Sequence, residues 1–116
     1  MALRPGSLVT VSFPFTDLSA IKRRPALVLI VHGEDLIVCG VTSKISRRRD
    51  AIPLDDREMA EGRLPRRSEV RPMKLFTIHR ALVHTLVGRV SDEIFRRVVA
   101  LLASALTRGR RPGAST

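Results

Sequence analysis

The sequence is short of aromatic and thiol side chains. Its 116 residues include four Phe, no Trp, no Tyr and a single Cys. Since base stacking needs a supply of aromatic rings, stacking is not the main means by which this chain would bind a nucleic acid. A single cysteine excludes an intramolecular disulfide. Cys39 stands in an apolar run, where we expect a buried side chain rather than a nucleophile.

Long apolar runs and a signal-peptide core are also missing. No segment approaches the roughly 18 apolar residues of a membrane-spanning helix, and the N-terminus lacks the core of a secretory signal. We therefore expect a cytoplasmic, reduced setting and no membrane partner. His32, His79 and His84 have neither paired spacing nor a neighbouring cysteine, so we expect no metal site. The sequence shows no phosphate-binding glycine loop and no serine nucleophile motif.

Positive charge, in contrast, is abundant. Lys and Arg number 21 against 11 Asp and Glu, which gives a formal net charge of +10 and a pI near 11.6. This excess suggests a polyanionic partner, either a nucleic acid or an acidic protein. The alternative is a basic surface that only reflects an arginine-rich composition. The length and the 44% hydrophobic content indicate one folded domain.

The hydrophobic pattern predicts a mainly β fold. Residues 8–13 alternate apolar and polar side chains, as a half-buried strand does. After a loop over residues 15–22, apolar runs at 25–31 and 36–41 predict two further strands in an antiparallel meander. A loop or one helical turn is expected at 55–67, and the stretch 79–89 is ambiguous. Shorter apolar pieces that predict additional strands are 51–54, 69–71 and 74–78, the last two separated by Pro72.

The end of the chain predicts an amphipathic helix. Ser91 is a suitable N-cap, and Asp92 and Glu93 follow in the first turn, where carboxylates interact favourably with the helix dipole. Apolar residues recur at helical spacing from Ile94 to Ala105, and the helix should end between residues 106 and 109. Residues 108–116 are basic and rich in Pro and Gly, and we expect them to be a disordered tail.

Arg24 and Thr42 form the candidate site that the pattern itself suggests. Arg24 begins the second apolar strand and Thr42 ends the third, so antiparallel pairing should bring them together at one sheet edge. A guanidinium and a hydroxyl there could bind a phosphate and stabilise the charge that develops during RNA cleavage. The alternative is a solvated strand-edge charge beside a turn threonine.

Four blocks of sequence resemble the PemK/MazF family of toxins. The first block is FPFTDLS at residues 13–19 followed by KRRPALVL at 22–29. Val41-Thr42-Ser43 is similar to the second family motif. Residues 68–78, SEVRPMKLFTI, resemble the third block, and LVGRVS at 86–91 before the terminal helix resembles the last. The resemblance extends over residues 6–107, and its first block is the most specific.

This resemblance implies both a fold and an assembly. The fold would be a compact SH3-like (CcdB/PemK-like) β-barrel with a C-terminal α-helix, in a single toxin domain spanning residues 1–107. Family members are usually homodimers and act as the toxins of type II toxin–antitoxin systems. An acidic cognate antitoxin would then cover a basic groove of the toxin, which agrees with the charge of +10.

The activity implied by the resemblance is sequence-specific cleavage of single-stranded RNA, such as mRNA, without metal or other cofactor. The ribose 2′-OH attacks the adjacent phosphate and leaves a cyclic phosphate and a 5′-OH. Arg24 matches the catalytic arginine, Thr42 matches the threonine that holds the scissile phosphate, and Arg71 in the third block joins them as a catalytic candidate. The residues implied in RNA binding are Phe15, Thr16, Asp17, Lys22, Arg23, Ser43 and Lys44.

The sequence departs from the family pattern at three places. Ser7 replaces the usual Asp after the opening Gly, which suggests a local structural change. Met73 stands where some members carry an acidic residue that assists as a base, and a thioether cannot take a proton. Arg24 with Thr42 would then suffice, or Asp17 or a histidine would substitute, or activity would be reduced. The junction Gly62-Arg63-Leu64 is one residue longer than usual.

Two other functions compatible with the same fold stay open at this point. One is a non-catalytic toxin of the CcdB type that binds gyrase and for which Arg24 and Thr42 would be unnecessary. The other is a catalytically decayed member that still binds RNA or antitoxin, a possibility motivated by Met73.

Overall fold

Seven strands pair into one antiparallel sheet in the computed structural model of the chain, which describes residues 2–14 and 21–108. The sheet order is β4-β6-β3-β2-β1-β7-β5. The strands are β1 (Ser7–Pro14), β2 (Ile21–His32), β3 (Asp35–Thr42), β4 (Ile52–Leu54), β5 (Met59–Gly62), β6 (Ser68–His79) and β7 (Val83–Val90). Two 3₁₀ turns (Asp56–Glu58 and Arg80–Leu82) and one C-terminal helix, α1 (Asp92–Arg108), complete the fold. The predicted mainly β architecture with a terminal helix is confirmed.

The predicted meander of the first three strands is confirmed, but its first loop is shorter than expected. β2 begins at Ile21, so Lys22, Arg23 and Arg24 pair with β1 and are strand residues. The prediction of a loop up to Lys22 was wrong because the ladder continues past Pro25, which faces Thr10. Phe15, Thr16 and Asp17 lie outside the described residues, as does the predicted tail from residue 109 onward.

The pairing of β5 with β7 was missed in the sequence. Gly62 has φ +77°, and a Cβ on it would collide with Val87 O. A Cβ on Gly88 would likewise collide with Glu61 O. The two backbones therefore approach each other only because both positions are glycine. This close approach defines one edge of the sheet.

A bulge interrupts the ladder between β3 and β6. Cys39 faces Leu75 and the next residue, Gly40, faces Arg71, so residues 72–74 have no counterpart on β3. Pro72 has no N–H to donate to the ladder, which is a physical reason for the break. The bulge brings Lys74 over Gly40, where its Cβ lies 3.5 Å from the position that a Gly40 Cβ would occupy. The predicted interruption at Pro72 is thus found within one strand.

The helix α1 begins and packs as predicted. Ser91 Oγ accepts a hydrogen bond from Ile94 N at 3.2 Å, which caps the first turn. Ile94 and Val98 are buried in a core cluster on one sheet face, together with Leu8, Leu27 and Leu54. Within residues 2–14 and 21–108, no helix is long and apolar enough to cross a membrane.

Apolar side chains are buried on both faces of the sheet. The cluster under α1 includes Cys39, which is fully buried as predicted; burial raises the pKa of its thiol to about 12. The cluster on the other face includes Val9, Val28 and Leu36. Because alternate residues of a strand point to opposite faces, the central strands β1, β2 and β3 supply both clusters. At the ends of these strands the two faces open into clefts.

Candidate functional site

Arg24, Thr42 and Glu69 lie in one row across three neighbouring strands. Ala26 of β2 faces Gly40 of β3 in the last pair of their ladder, and Arg24 and Thr42, two residues beyond that pair, line the same two clefts. Thr42 in turn faces Glu69 of β6. Residues two apart on a strand share a face, so Arg71 lies on the same face as Glu69. The structure therefore brings together the three residues predicted to be catalytic, Arg24, Thr42 and Arg71.

Two clefts meet at this row. One, which we call the β1 cleft, is lined by Leu8 and Thr10 of β1 and has a volume of about 480 Å³. The other, which we call the β6 cleft, is lined by Arg71 and Lys74 of β6 and has a volume of about 520 Å³. Both clefts are lined by Arg24, Pro25, Val41 and Thr42, which form their common wall. An anion held at this wall would be accessible from both clefts. The common wall is therefore a position where an anion could contact Arg24 and Thr42.

The β6 cleft is walled by cations. Lys44, Arg71 and Lys74 line it together with Arg24, and Phe76 supplies an apolar patch at its end. Among the described lining residues of this cleft none is acidic. Side chains of one charge around a concave surface raise the local concentration of the opposite charge. The β6 cleft is therefore suited to a polyanion.

The β1 cleft combines cations with apolar walls. Lys22, Arg23 and Arg66 line it, and the remaining walls are largely apolar. Thr10 also lines it; its Oγ1 is buried and has no hydrogen-bond partner among residues 2–14 and 21–108. The apolar walls come from Leu8, Leu64, Pro65 and Val87. Such a mixture of a few polar groups on an apolar surface is typical of small-molecule and nucleotide pockets.

A buried carboxylate stands behind the wall of the β6 cleft. Glu69 is 3% exposed and accepts hydrogen bonds from Ser46 N at 2.9 Å, Ser46 Oγ at 2.7 Å and Arg71 Nε at 3.0 Å. Burial acts to raise the pKa of this carboxyl, but the bonds from Ser46 and Arg71 outweigh burial and hold its pKa below the ordinary value of 4.5. We refer to Ser46, Glu69 and Arg71 as the cleft cluster.

Hydrogen bonds also order the segment that follows β3. Thr42 Oγ1 accepts from Lys44 N at 3.1 Å, and Arg71 Nη2 donates to Lys44 O at 3.5 Å. Lys44 thereby stays beside both Thr42 and Arg71, and Ser43 lines the β1 cleft. Of the residues predicted to bind RNA, Lys22, Arg23, Ser43 and Lys44 all reach one of the two clefts.

Two of the histidines considered as substitutes for a missing base lie at the far end of the sheet, and Asp17 lies outside the described residues. His32 ends β2, eight residues beyond Arg24, which is roughly 25 Å along an extended strand. His79 ends β6 at the same end of the sheet, opposite Asp35. His84 is an exposed residue of β7 next to Val83, which faces Val11, the β1 partner of Arg24, but His84 lines neither cleft. Met73 is 49% exposed and lies in the β6 bulge.

Sequence reasoning missed several residues of this site. Glu69, Ser46, Lys74 and Thr10 had no assigned part in it. The signal for Glu69 was its position within SEVRP, two residues before Arg71, since side chains at i and i+2 of a strand share a face. Ser46 and Lys74 carried no comparable signal, because a loop contact and a bulge bring them in.

Comparison with known proteins agrees with this geometry. Residues 4–106 match the model of a family described as the PemK-like, MazF-like toxin of type II toxin–antitoxin systems. No curated protein matches the chain. Three similar solved structures have between 15% and 20% sequence identity to the chain, and at that level the likeness concerns the fold.

The first of these is an endoribonuclease in complex with its cognate antitoxin from a mycobacterial species, 15% identical, with a TM-score of 0.72 over 96% of this chain and 99% of that one. The MazF of a MazE–MazF complex from Deinococcus radiodurans is 18% identical, with a TM-score of 0.70 over 91% and 96%. The toxin MazF-mt6 of Mycobacterium tuberculosis is 20% identical, with a TM-score of 0.62 over 88% and 93%. Because the family model matches nearly the whole chain, the protein belongs to the PemK-like and MazF-like toxins of type II toxin–antitoxin systems.

Proposed function

We propose that this toxin is an endoribonuclease that cleaves single-stranded RNA, such as mRNA, at short sequences without a metal ion. The observation that carries the proposal is the common wall of the two clefts, where Arg24 and Thr42 stand together among cationic side chains. Neither cleft has an Asp, Glu or His among its described lining residues. Guanidinium groups rather than a ligated metal would therefore supply the positive charge that the reaction needs.

The reaction would proceed within one RNA strand. The 2′-oxygen forms a bond to the neighbouring phosphorus, the bond from phosphorus to the 5′-oxygen breaks, and the products are a 2′,3′-cyclic phosphate and a 5′-hydroxyl. Negative charge increases on the non-bridging oxygens as the phosphorane forms. Arg24 would stabilise that charge, Thr42 would orient the phosphate through its hydroxyl, and Arg71 would bind a second phosphate oxygen from the β6 side.

The proton of the 2′-hydroxyl needs an acceptor. Met73 cannot accept it, and Glu69 lies buried behind the β6 cleft with both carboxylate oxygens already hydrogen-bonded. We assign this proton to solvent, since both clefts are open to water. The 5′-oxygen then gains a proton from water as it leaves. On this mechanism the protein contributes charge stabilisation and orientation more than proton transfer.

RNA on either side of the scissile phosphate would follow the two clefts. Lys44 and Lys74 would meet phosphates in the β6 cleft, while Lys22, Arg23 and Ser43 would do so in the β1 cleft. The apolar walls of the β1 cleft would accommodate a base that is not paired in a duplex. Phe15, Thr16 and Asp17 remain proposed RNA contacts from the segment outside the described residues.

A matched pair of arginine variants tests the proposed activity. Purified protein should cleave single-stranded RNA in the presence of EDTA, and the products should accept a label at the 5′-hydroxyl without prior phosphatase treatment. Arg24→Ala should lower the rate on the order of 100-fold or more, because a group that stabilises the transition state is lost. The control is Arg96→Ala, an exposed arginine of α1. Intact RNA with the wild type, or equal rates for both variants, would refute the proposal.

Met73 favours a second candidate, a toxin that binds RNA without cutting it. Its side chain is exposed in the β6 bulge, at the position where some members of the family carry an acidic residue according to the sequence resemblance. In that case the same experiment would show an intact RNA in a salt-sensitive complex. Restored cleavage in Met73→Asp would identify the thioether as the cause.

We also propose an acidic antitoxin and a second copy of the chain as partners in the cytoplasm. The cationic clefts would attract an acidic polypeptide, which should block RNA cleavage at equal molar amounts. For the homodimer, the supporting observation is an exposed apolar area: Ile30 and Leu75 are 49% and 48% exposed and lie near Ile37 on one sheet face. Light scattering should show a dimer for the wild type and a monomer for Leu75→Arg.

A further inference from the structure

Among the described residues, Glu69 is the only acidic residue that is buried, with 3% exposure. Its carboxylate contacts Arg71. Burying a carboxylate is costly unless hydrogen bonds compensate for the lost water. Three bonds do so here, from Ser46 N, Ser46 Oγ and Arg71 Nε. The carboxylate therefore joins β6 to the segment between β3 and β4.

Arg71 is oriented by these contacts. Its Nε is engaged by Glu69 at 3.0 Å, and its Nη2 lies 3.5 Å from Lys44 O, which directs the plane of the guanidinium. The side chain keeps 20% exposure and lines the β6 cleft beside Arg24 and Thr42. A guanidinium has five N–H donors in a rigid fork, so a carboxylate on one edge leaves the other edge to meet an oxyanion.

The segment after β3 depends on the same carboxylate. Ser46 donates to Glu69 through both its backbone and its hydroxyl, and Ser46 Oγ also accepts from Arg48 N at 3.3 Å. Lys44 and Ser43, two residues of the cleft walls, stand two and three residues before Ser46 in the chain. The two bonds from Ser46 therefore fix the carboxylate in place behind Arg71.

We propose that Glu69 is a positioning residue for RNA cleavage, which acts by holding Arg71 toward the scissile phosphate. This proposal rests on the function proposed above. Glu69 has no part in proton transfer, because its two oxygens are occupied and it does not line either cleft. Its effect on the reaction is exerted through Arg71.

A double-mutant cycle separates positioning from a general loss of stability. Glu69→Gln keeps the shape of the side chain but removes its charge. In the wild-type background it should lower kcat on the order of 10- to 100-fold, with a smaller change in KM, because a misplaced group loses contacts in the transition state. In the Arg71→Ala background the same change should cost less than about 2-fold. Equal losses in both backgrounds, or no loss in either, would overturn the proposal.

Two further measurements complete the test. The pH dependence of kcat should keep its shape in Glu69→Gln, whereas loss of a general base would remove its acidic limb. Glu61→Gln is the matched control, since Glu61 also pairs with an arginine but is exposed and lines neither cleft. The rate of this variant should equal that of the wild type.

A readout independent of cleavage distinguishes failure of this proposal from failure of the proposed function. The Nε–H proton of Arg71 is hydrogen-bonded to Glu69, so it should give an NMR signal that exchanges slowly with water in the wild type. Glu69→Gln should abolish that protection, and Glu61→Gln should not. If the wild type proves inert on RNA, the proposed function fails, while loss of protection still supports control of Arg71 by Glu69. Unchanged protection in Glu69→Gln overturns the positioning role in either case.

Discussion

Two arginine–glutamate clusters use the same chemistry at different sites of the sheet. In the cleft cluster the carboxylate of Glu69 is 4% exposed and Arg71 is 20% exposed. In the other, which we call the edge cluster, Glu61 of β5 is 56% exposed and pairs with Arg4 at 2.8 Å and with Arg89 at 3.3 Å. The Glu69 carboxylate is buried and binds an arginine that lines the β6 cleft, whereas the Glu61 carboxylate is exposed to solvent. Burial thus distinguishes a group that can organise a site from one that balances surface charge.

The largest expected difference concerns the two arginines in RNA cleavage. Arg71→Ala should lower the rate on the order of 10- to 100-fold, because a donor to the phosphorane is removed. Arg89→Ala should change the rate by less than about 2-fold, since its guanidinium is engaged by Glu61 away from the row. Initial rates on one labelled RNA at saturating concentration measure both. Similar losses of cleavage rate in the two variants would show that the cleft cluster and the edge cluster do not differ in function.

The two glutamates should differ next in stability. Glu69→Ala removes the acceptor of three hydrogen bonds at a buried position and should lower the free energy of unfolding by about 2 kcal/mol. Glu61→Ala should lower it by less than about 0.5 kcal/mol, as expected for an exposed ion pair. Urea unfolding followed by circular dichroism gives both values. A larger effect at Glu61 would contradict the assignment of the buried cluster.

Acid should affect the cleft cluster more than the edge cluster. The pKa of Glu69 is lowered in the folded protein, so its contribution to stability is complete above the ordinary value of 4.5 and is lost as the pH falls below it. The free energy of unfolding should therefore decline more steeply below that pH in the wild type than in Glu69→Gln. Glu61→Gln should follow the wild-type curve. Parallel curves for the wild type and Glu69→Gln would remove Glu69 as the source of the decline.

The smallest expected difference is in the salt dependence of RNA binding. Lys74 lines the β6 cleft, so Lys74→Ala should reduce the slope of log K against log salt by about one phosphate contact. Arg4 is already paired with Glu61, and Arg4→Ala should leave the slope unchanged. Titrations of a catalytically silent Arg24→Ala background with single-stranded RNA allow binding to be measured without cleavage. A reduced slope for Arg4→Ala would extend the RNA path to the far edge of the sheet.

Much of the fold could be predicted because its elements have local signals. The alternation of residues 8–13, the apolar runs of β2 and β3 and the capped amphipathic helix follow from short-range periodicity. β5 could not be predicted, since its four residues carry no apolar pattern and its pairing depends on Gly62 meeting Gly88 across the sheet. The start of β2 was placed too late for a similar reason: Lys22 and Arg23 look like loop residues until β1 pairs with them.

The residues of the candidate site could likewise be predicted only in part. Arg24 and Thr42 could be paired in advance because they stand at the start and end of consecutive antiparallel strands, and in the structure both line the same two clefts. Glu69 could not be recognised as a partner of Ser46, because that contact joins two residues 23 positions apart through a loop. Lys74 enters the cleft only because the bulge at Pro72 shifts the chain.

The sequence by itself determined the composition of this protein's surface and the order of its elements: an excess of cations, a meander that presents Arg24 beside Thr42, and a terminal helix that covers one sheet face. Those features depend on side-chain chemistry and local periodicity, which a linear chain contains in full. Only the tertiary structure decided which cations line a cleft and whether the carboxylate that pairs with a cation is buried or exposed. Burial distinguishes Arg71, held by the buried Glu69, from Arg89, held by the exposed Glu61.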